Sequence, residues 1–371
     1  MLGPIGVMAR WVESGHVLYS TPEGNLMALP VDGKLTPTAD PILVQDGVRI
    51  FASAAALWSA ASNGTIVLGA GRTPQSKLVI VDRTGRFTAL SDHERGFRLP
   101  RVSPDGNRVA IQVGTFGTNV DSDIWLFDRR TGTLSRFTTT GGNSDPVWTP
   151  DGKHIVFAGR EASDSSAETG RYASDVYWQD VEGTTPELLY AGRGSQYPWS
   201  ITPDGKTLVM DVTAQPSKIA TMTIGSPESM RDVVRTTFLN RIPKISPDGK
   251  WLAHTSNETG RTEVYVRPFP GPGRAEQVSV NGGDQPLWSH DGRELFFRDG
   301  VSFVSARMEA GLATSRTVLF EDKFLMSNAT NYDVLPDGRF IMLHAPVDRT
   351  VLNVLVNWQA ELKRRSQVRP R

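Results

Sequence analysis

The sequence predicts an all-β chain folded as a single closed β-propeller of eight four-stranded blades, with seven as the alternative count. Three observations carry this. A Pro-Asp-Gly turn recurs at a near-constant interval, and each turn leads into a short run that is apolar on both faces. No sustained 3.6-residue apolar period precedes the last dozen residues, so helix is nearly absent.

The turn is clearest in "RVSPDGNRVAIQV" (101–113) and returns in "WTPDGKHIVFAG", "SITPDGKTLVMDV", "KISPDGKWLAHTS", "LWSHDGRELFFRD" and "DVLPDGRFIMLHA". Its aspartates, Asp105, Asp151, Asp204, Asp248, Asp291 and Asp337, are spaced by 46, 53, 44, 43 and 46 residues. A period in the forties is that of one four-stranded propeller blade. Two weaker copies precede them, "RWVESGHVLYS" and "LWSAASNGTIVLG", the latter with Asn63 in the aspartate's place.

Proline sets φ near −65° at the first corner, and glycine supplies a position with φ > 0. The aspartate between them accepts hydrogen bonds from nearby backbone N–H groups. The turn is therefore a hairpin former, and a carboxylate repeated six times is structural and not catalytic. Four and six residues after the aspartate come apolar pairs such as Val109 and Ile111, Ile155 and Phe157, or Leu208 and Met210. These mark strands buried on both faces, as a blade between two blades requires. A further strand follows in each unit, for example "DIWLFD", "DVYWQD" and "EVYVRP", and then a more polar outer strand. The last unit is short, so closure is expected to borrow a strand from the segment around Val7 to Trp11. The propeller is expected over 1–362. The basic tail "KRRSQVRPR" (363–371) is expected to be disordered.

Lys+Arg and Asp+Glu both total 40 in 371 residues, for a formal net charge of zero, which argues against nucleic acid as the main partner. No cysteine is present, which excludes disulfides, iron–sulfur clusters and thiol catalysis. No apolar stretch approaches the ~18 residues of a transmembrane helix, and the N-terminus lacks the pattern of a secretory signal. The chain is read as a monomer that does not insert into a membrane.

The units "SPDGNRVAIQV…SDIWLFDRRTG" and "SPDGKWLAHTSNETGRTEVYVRPFPGPG" resemble the Pro-Asp-Gly form of the WD40-like repeat found in TolB-type propellers. The ordered series "LMALPVDG", "SDIWLFDRRTGTLSRFT", "EVYVRPFPGPG", "LWSHDGRELFF", "NYDVLPDGRFIML" and "LNVLVNWQAELKRR" resembles the C-terminal sensor portion of bacterial transmembrane serine/threonine kinases. The resemblance runs from about residue 10 to residue 365. It implies a sensor or interaction propeller, cytoplasmic or extracytoplasmic, and no phosphotransfer, since no Gly-rich loop, "HRD" or "DFG" occurs.

No G-x-S-x-G elbow, H-E-x-x-H, P-loop or complete EF-hand loop is found. "GAGRTP" and "GPGRAE" read as turns. Of the six histidines, His16, His154, His254 and His344 fall in strands, His290 takes the proline place of a turn, and His93 sits in a loop. The expectation is thus a non-enzymatic sensor or scaffold that binds a protein, peptide or small ligand at one face, with no cofactor or metal. The alternative is a propeller lyase or hydrolase with a metal near His93. The candidate binding residues lead into the inner strands: Arg98, Asp145, Tyr197, Arg241, Gln285 and Asn331. Their two arginines would favour an anionic ligand, and Tyr197 would offer a stacking surface. The Ser-, Gly- and charge-rich loop at 159–174 is a second candidate contact.

Overall fold

A computed structural model describes residues 7–21, 24–50, 56–70, 75–114, 122–160, 174–213, 217–326, 329–345 and 351–367. Nearly the whole of the 159–174 loop lies outside them. The chain is all-β, with eight antiparallel sheets among the described residues, matching the eight sequence units. Seven of these sheets have four strands and one has three.

The turns form for the reasons the sequence suggests, with one addition. Gly106, Gly152, Gly205, Gly249, Gly292 and Gly338 all take positive φ, between 69° and 81°. The Asp105 Oδ1 accepts the Asn107 N–H at 3.0 Å, and the equivalent bond recurs at Asp151, Asp204, Asp248 and Asp291. The addition is a hydroxyl two residues earlier. Ser103, Thr149, Thr202, Ser246 and Ser289 each donate to the turn carboxylate and accept the N–H five residues on. These bonds favour the ionised carboxylate and hold Asp105 down at about 2. Asp337 follows Leu335, which has no hydroxyl, and binds the Arg339 guanidinium in its stead, at 2.6 Å.

The chain divides into two compact units. The larger comprises Ser76–Val113 and Val120–His344 and holds the six sheets of the six marked turns. Its inner strands are Phe97–Val102, Ser144–Trp148, Gln196–Ile201, Asn240–Ile245, Asp284–Trp288 and Tyr332–Val334. Each packs on the next, and the last packs on the first, so the six form a closed ring. Its core lies between neighbouring sheets. Phe303, for example, meets Phe340 and Tyr332 edge-on at centroid distances of 4.9 Å, and all three are fully buried.

The closing strand differs from expectation. The ring's last sheet joins Tyr332–Val334 and Phe340–His344 to Lys77–Val81 and Phe87–Ala89, with Phe340 opposite Val81 and His344 opposite Lys77. The segment Val7–Val12 instead pairs with His16–Ser20, the strand it reaches through a short hairpin, which is the smaller entropic cost. "KLVIV" suits the closing role because Val79 and Val81 bury against Phe340 and Met342.

The smaller unit, Met1–Gln75, Gly114–Asn119 and Ala345–Arg371, carries the other two sheets. One runs Val7–Val12, His16–Ser20, Leu26–Pro30 and Ile42–Gln45; the other pairs Ile66–Ala70 with Trp58–Ala60 and Val351–Leu355. The helix Trp358–Gln367 seals this core with Trp358 and Leu362, so the first residues of the basic tail are helical, and 368–371 lie outside the described residues. Among the described residues no helix is long and apolar enough to cross a membrane.

Candidate functional site

Each inner strand of the ring runs from its lead-in residue to its turn, and a proline interrupts five of the six. Pro100, Pro146, Pro198, Pro243 and Pro286 have no N–H for the ladder, and the register shifts at each one. The residues before four of them, Leu99, Asp145, Ile242 and Gln285, take positive φ of 50°, 55°, 55° and 59°. Such φ is strained for residues with a Cβ, and a bulge of this kind re-aims the side chains around it. The result is two layers of side chains, one on each side of the bulges, the first polar and the second mixed.

The first layer contains the six residues picked out in the sequence. Arg98, Asp145, Gln285 and Asn331 are buried, and Tyr197 and Arg241 are half-buried. The structure brings Gln285 and Asn331 together: the Gln285 Oε1 accepts the Asn331 N–H at 3.1 Å, and the Asn331 Oδ1 accepts the Leu99 N–H at 3.0 Å. These two amides tie three consecutive blades to one another. Arg98, Asp145, Tyr197 and Arg241 form one electrostatic cluster. Burial raises the Asp145 carboxyl above its ordinary range, against the opposing charges of Arg98, Arg101 and Arg241. Burial also raises the Tyr197 phenol, with the Asp145 charge adding to it.

Asp211, on the strand Thr207–Val212, joins the cluster without having been visible in the sequence. Its Oδ2 lies 3.6 Å from the Arg241 Nε, and the residue is 2% exposed. Burial pushes its carboxyl up to about 6, Arg241 opposing and the Asp145 charge assisting.

The second layer lies at the turn end. The residues four before the turn aspartates are Arg101, Val147, Ser200, Lys244, Leu287 and Asp333, and all six line one cavity of about 370 Å3. Because every blade contributes the same position, this cavity sits on the ring's axis. Arg101 is buried, and its Nη1 donates to the carbonyls of Pro100, Thr330 and Tyr332 at 2.7, 3.0 and 3.4 Å. The Asp333 Oδ2 accepts the Val102 N–H at 2.6 Å. Lys244 is 5% exposed and donates to the Trp199 carbonyl at 2.7 Å, with its ammonium 5.3 Å from the Trp199 ring. Burial first, and then the Arg101 charge, hold its amine well below the ordinary lysine range.

Three tryptophans wall this cavity. The Trp148 indole donates to the Arg101 carbonyl at 2.9 Å, and the Trp288 indole donates to the Lys244 carbonyl at 3.1 Å. Each bond reaches the preceding blade and fixes the ring's orientation. Sequence reasoning missed Arg101, Lys244, Asp333 and these indoles, although a signal existed. "PRVSPDG", "PKISPDG", "VWTPDG" and "LWSHDG" set cations and tryptophans at constant distances before the turn. Elsewhere, His93 is exposed in its loop, and among the described residues no group of three or more His, Asp or Glu could hold a metal ion.

No protein-family model matches the chain. A Bacillus subtilis protein named as the uncharacterised peptidase YuxL is 26% identical over 235 residues, covering 60% of this chain and 31% of that protein. This overturns the expectation that the chain is not an enzyme. That expectation rested on missing motifs, and a motif search tests only the residues present, whereas this chain spans 31% of its relative. Among solved structures, TolB from Agrobacterium tumefaciens aligns at a TM-score of 0.60 and 20% identity, covering 75% of this chain and 100% of that one. TolB from Acinetobacter baumannii aligns at 0.51 and 16%, covering 91% and 80%. The chain has the fold of a TolB-like β-propeller.

Proposed function

We propose that the ring is a binding scaffold for extended peptides, that the axial cavity at its turn end is the docking site, and that this binding serves peptide hydrolysis of the kind for which the relative YuxL is named. The observation that supports this most strongly is the composition of the cavity. Its volume of about 370 Å3 is in the range of small-ligand sites. Two of its three indoles are held by hydrogen bonds to backbone, and the turn prolines Pro104, Pro150, Pro203 and Pro247 surround its rim. Rigid aromatic faces beside isolated polar groups suit a peptide, whose apolar side chains stack while its backbone finds donors.

The first layer is proposed as a second contact in the same channel, with Arg98 and Arg241 supplying positive charge and Tyr197 a stacking face.

The test is calorimetric titration of the purified chain with a panel of N-acetylated tetrapeptides, each with a free and with an amidated C-terminus, with hydrolysis followed by mass spectrometry. Binding is expected, and Trp288→Leu at unchanged melting temperature should weaken it by roughly tenfold, the scale of a lost aromatic anchor. Arg98→Ala combined with Arg241→Ala reports on the second contact. No binding by any member of the panel would sink the peptide reading.

A further inference from the structure

We propose that the axial cavity recognises the C-terminal carboxylate of its peptide, with the Lys244 ammonium as the counter-ion. The inference rests on the peptide reading above and adds which part of the peptide is read.

The charges in the turn-end layer do not balance. Arg101 and Lys244 are cations, Asp333 is the one carboxylate among the six layer residues, and Val147, Ser200 and Leu287 are uncharged. The hydrogen bonds make the same point. An ammonium carries three N–H donors, and the Trp199 carbonyl is the one acceptor Lys244 has among the described residues. Arg101, by contrast, spreads one guanidinium nitrogen over three carbonyls, and Asp333 is satisfied by the Val102 and Val334 N–H groups. Lys244 is therefore the cation with donors to spare, and it is buried where an uncompensated charge is unfavourable. A single carboxylate supplies both the missing charge and the missing acceptors. Asp333 and Asp145 favour the charged amine only from a distance, since Lys244 forms an ion pair with neither among the described residues, and the His290 Nε2 lies 3.0 Å from the Val334 carbonyl.

The walls select what carries the carboxylate. Trp148 and Trp288 line the cavity and are 8% and 7% exposed, so little of either indole meets bulk water. A peptide whose last residue is apolar would stack that side chain on the indoles while its terminal oxygens reach Lys244.

The experiment compares two forms of one peptide, N-acetyl-Ala-Ala-Pro-Leu with a free carboxylate and the same peptide C-amidated, by calorimetric titration. The free form is expected to bind wild type about tenfold tighter or more, the scale of one hydrogen bond to a charged group. Lys244→Met should erase that preference and Lys244→Arg should retain it. Ser200→Asp, which sets a competing carboxylate in the same layer and leaves Lys244 in place, should also erase it, and it serves if Lys244→Met does not fold. Equal affinity of the two forms for wild type would overturn the proposal while leaving the peptide reading standing. So would a preference that survives in Ser200→Asp. Failure of both forms to bind would sink the peptide reading itself.

Discussion

Asp211 is the sharpest point at which burial in the ring becomes measurable. Its carboxyl stands at about 6 in the folded chain against an ordinary 3.8, a gap of roughly two pH units. Each unit corresponds to about 1.4 kcal/mol, so keeping this site folded at neutral pH costs about 3 kcal/mol relative to acid. The sign follows from proton counts. Between about pH 4 and pH 6 the native state holds the Asp211 proton and the unfolded chain releases it, so stability falls as pH rises through that window. The turn aspartates work in the opposite sense and at lower pH, because their folded values are depressed, Asp105 to about 2. Asp211→Asn removes the titration and keeps the shape. Chemical unfolding of both proteins should therefore show the variant gaining on wild type by up to about 3 kcal/mol between about pH 4 and pH 7. Part of the gain arises because Asp145 loses a like-charged neighbour. A difference that stays flat across that range, or that shrinks as pH rises, would refute the reasoning.

Two further outcomes are expected. Arg298 and Asp322 form an ion pair at 2.9 Å with both side chains fully buried, so Arg298→Met should lower stability by about 3–5 kcal/mol. Adding Asp322→Leu should recover much of the loss, since it removes the stranded charge; urea unfolding of the single and double variants checks this. Gly249 has φ of 72°, so Gly249→Val should cost about 1–3 kcal/mol and lower the melting temperature.

Much of this architecture can be read along the chain because it is made by contacts close in sequence. The Ser-Pro-Asp-Gly turn closes on itself: its bonds run among Ser103, Asp105, Gly106, Asn107 and Arg108, all within six residues. The apolar pairs after it are as buried as their pattern requires, with Val109, Ile111, Ile155 and Leu208 all at 0% exposure. The inner-strand prolines were equally visible and went unused. A proline within a strand marks a bulge, and here the bulges decide which residues face the axis.

By itself, the sequence determined an all-β repeat, its period, the six turns that start its blades and the strands buried between sheets. These depend on backbone geometry and on which faces are apolar, both local properties. Only the tertiary structure decided which strands close the ring and which charges meet on its axis. Lys77–Val81 pairs with Phe340–His344 across most of the chain, and no local pattern specifies that partner. Arg101, Lys244 and Asp333 come from three different blades, as do Asp145, Asp211 and Arg241. Each is an ordinary polar residue in its own strand. Closure of the ring removes them from water together, and that shared burial raises the Asp211 carboxyl and lowers the Lys244 amine.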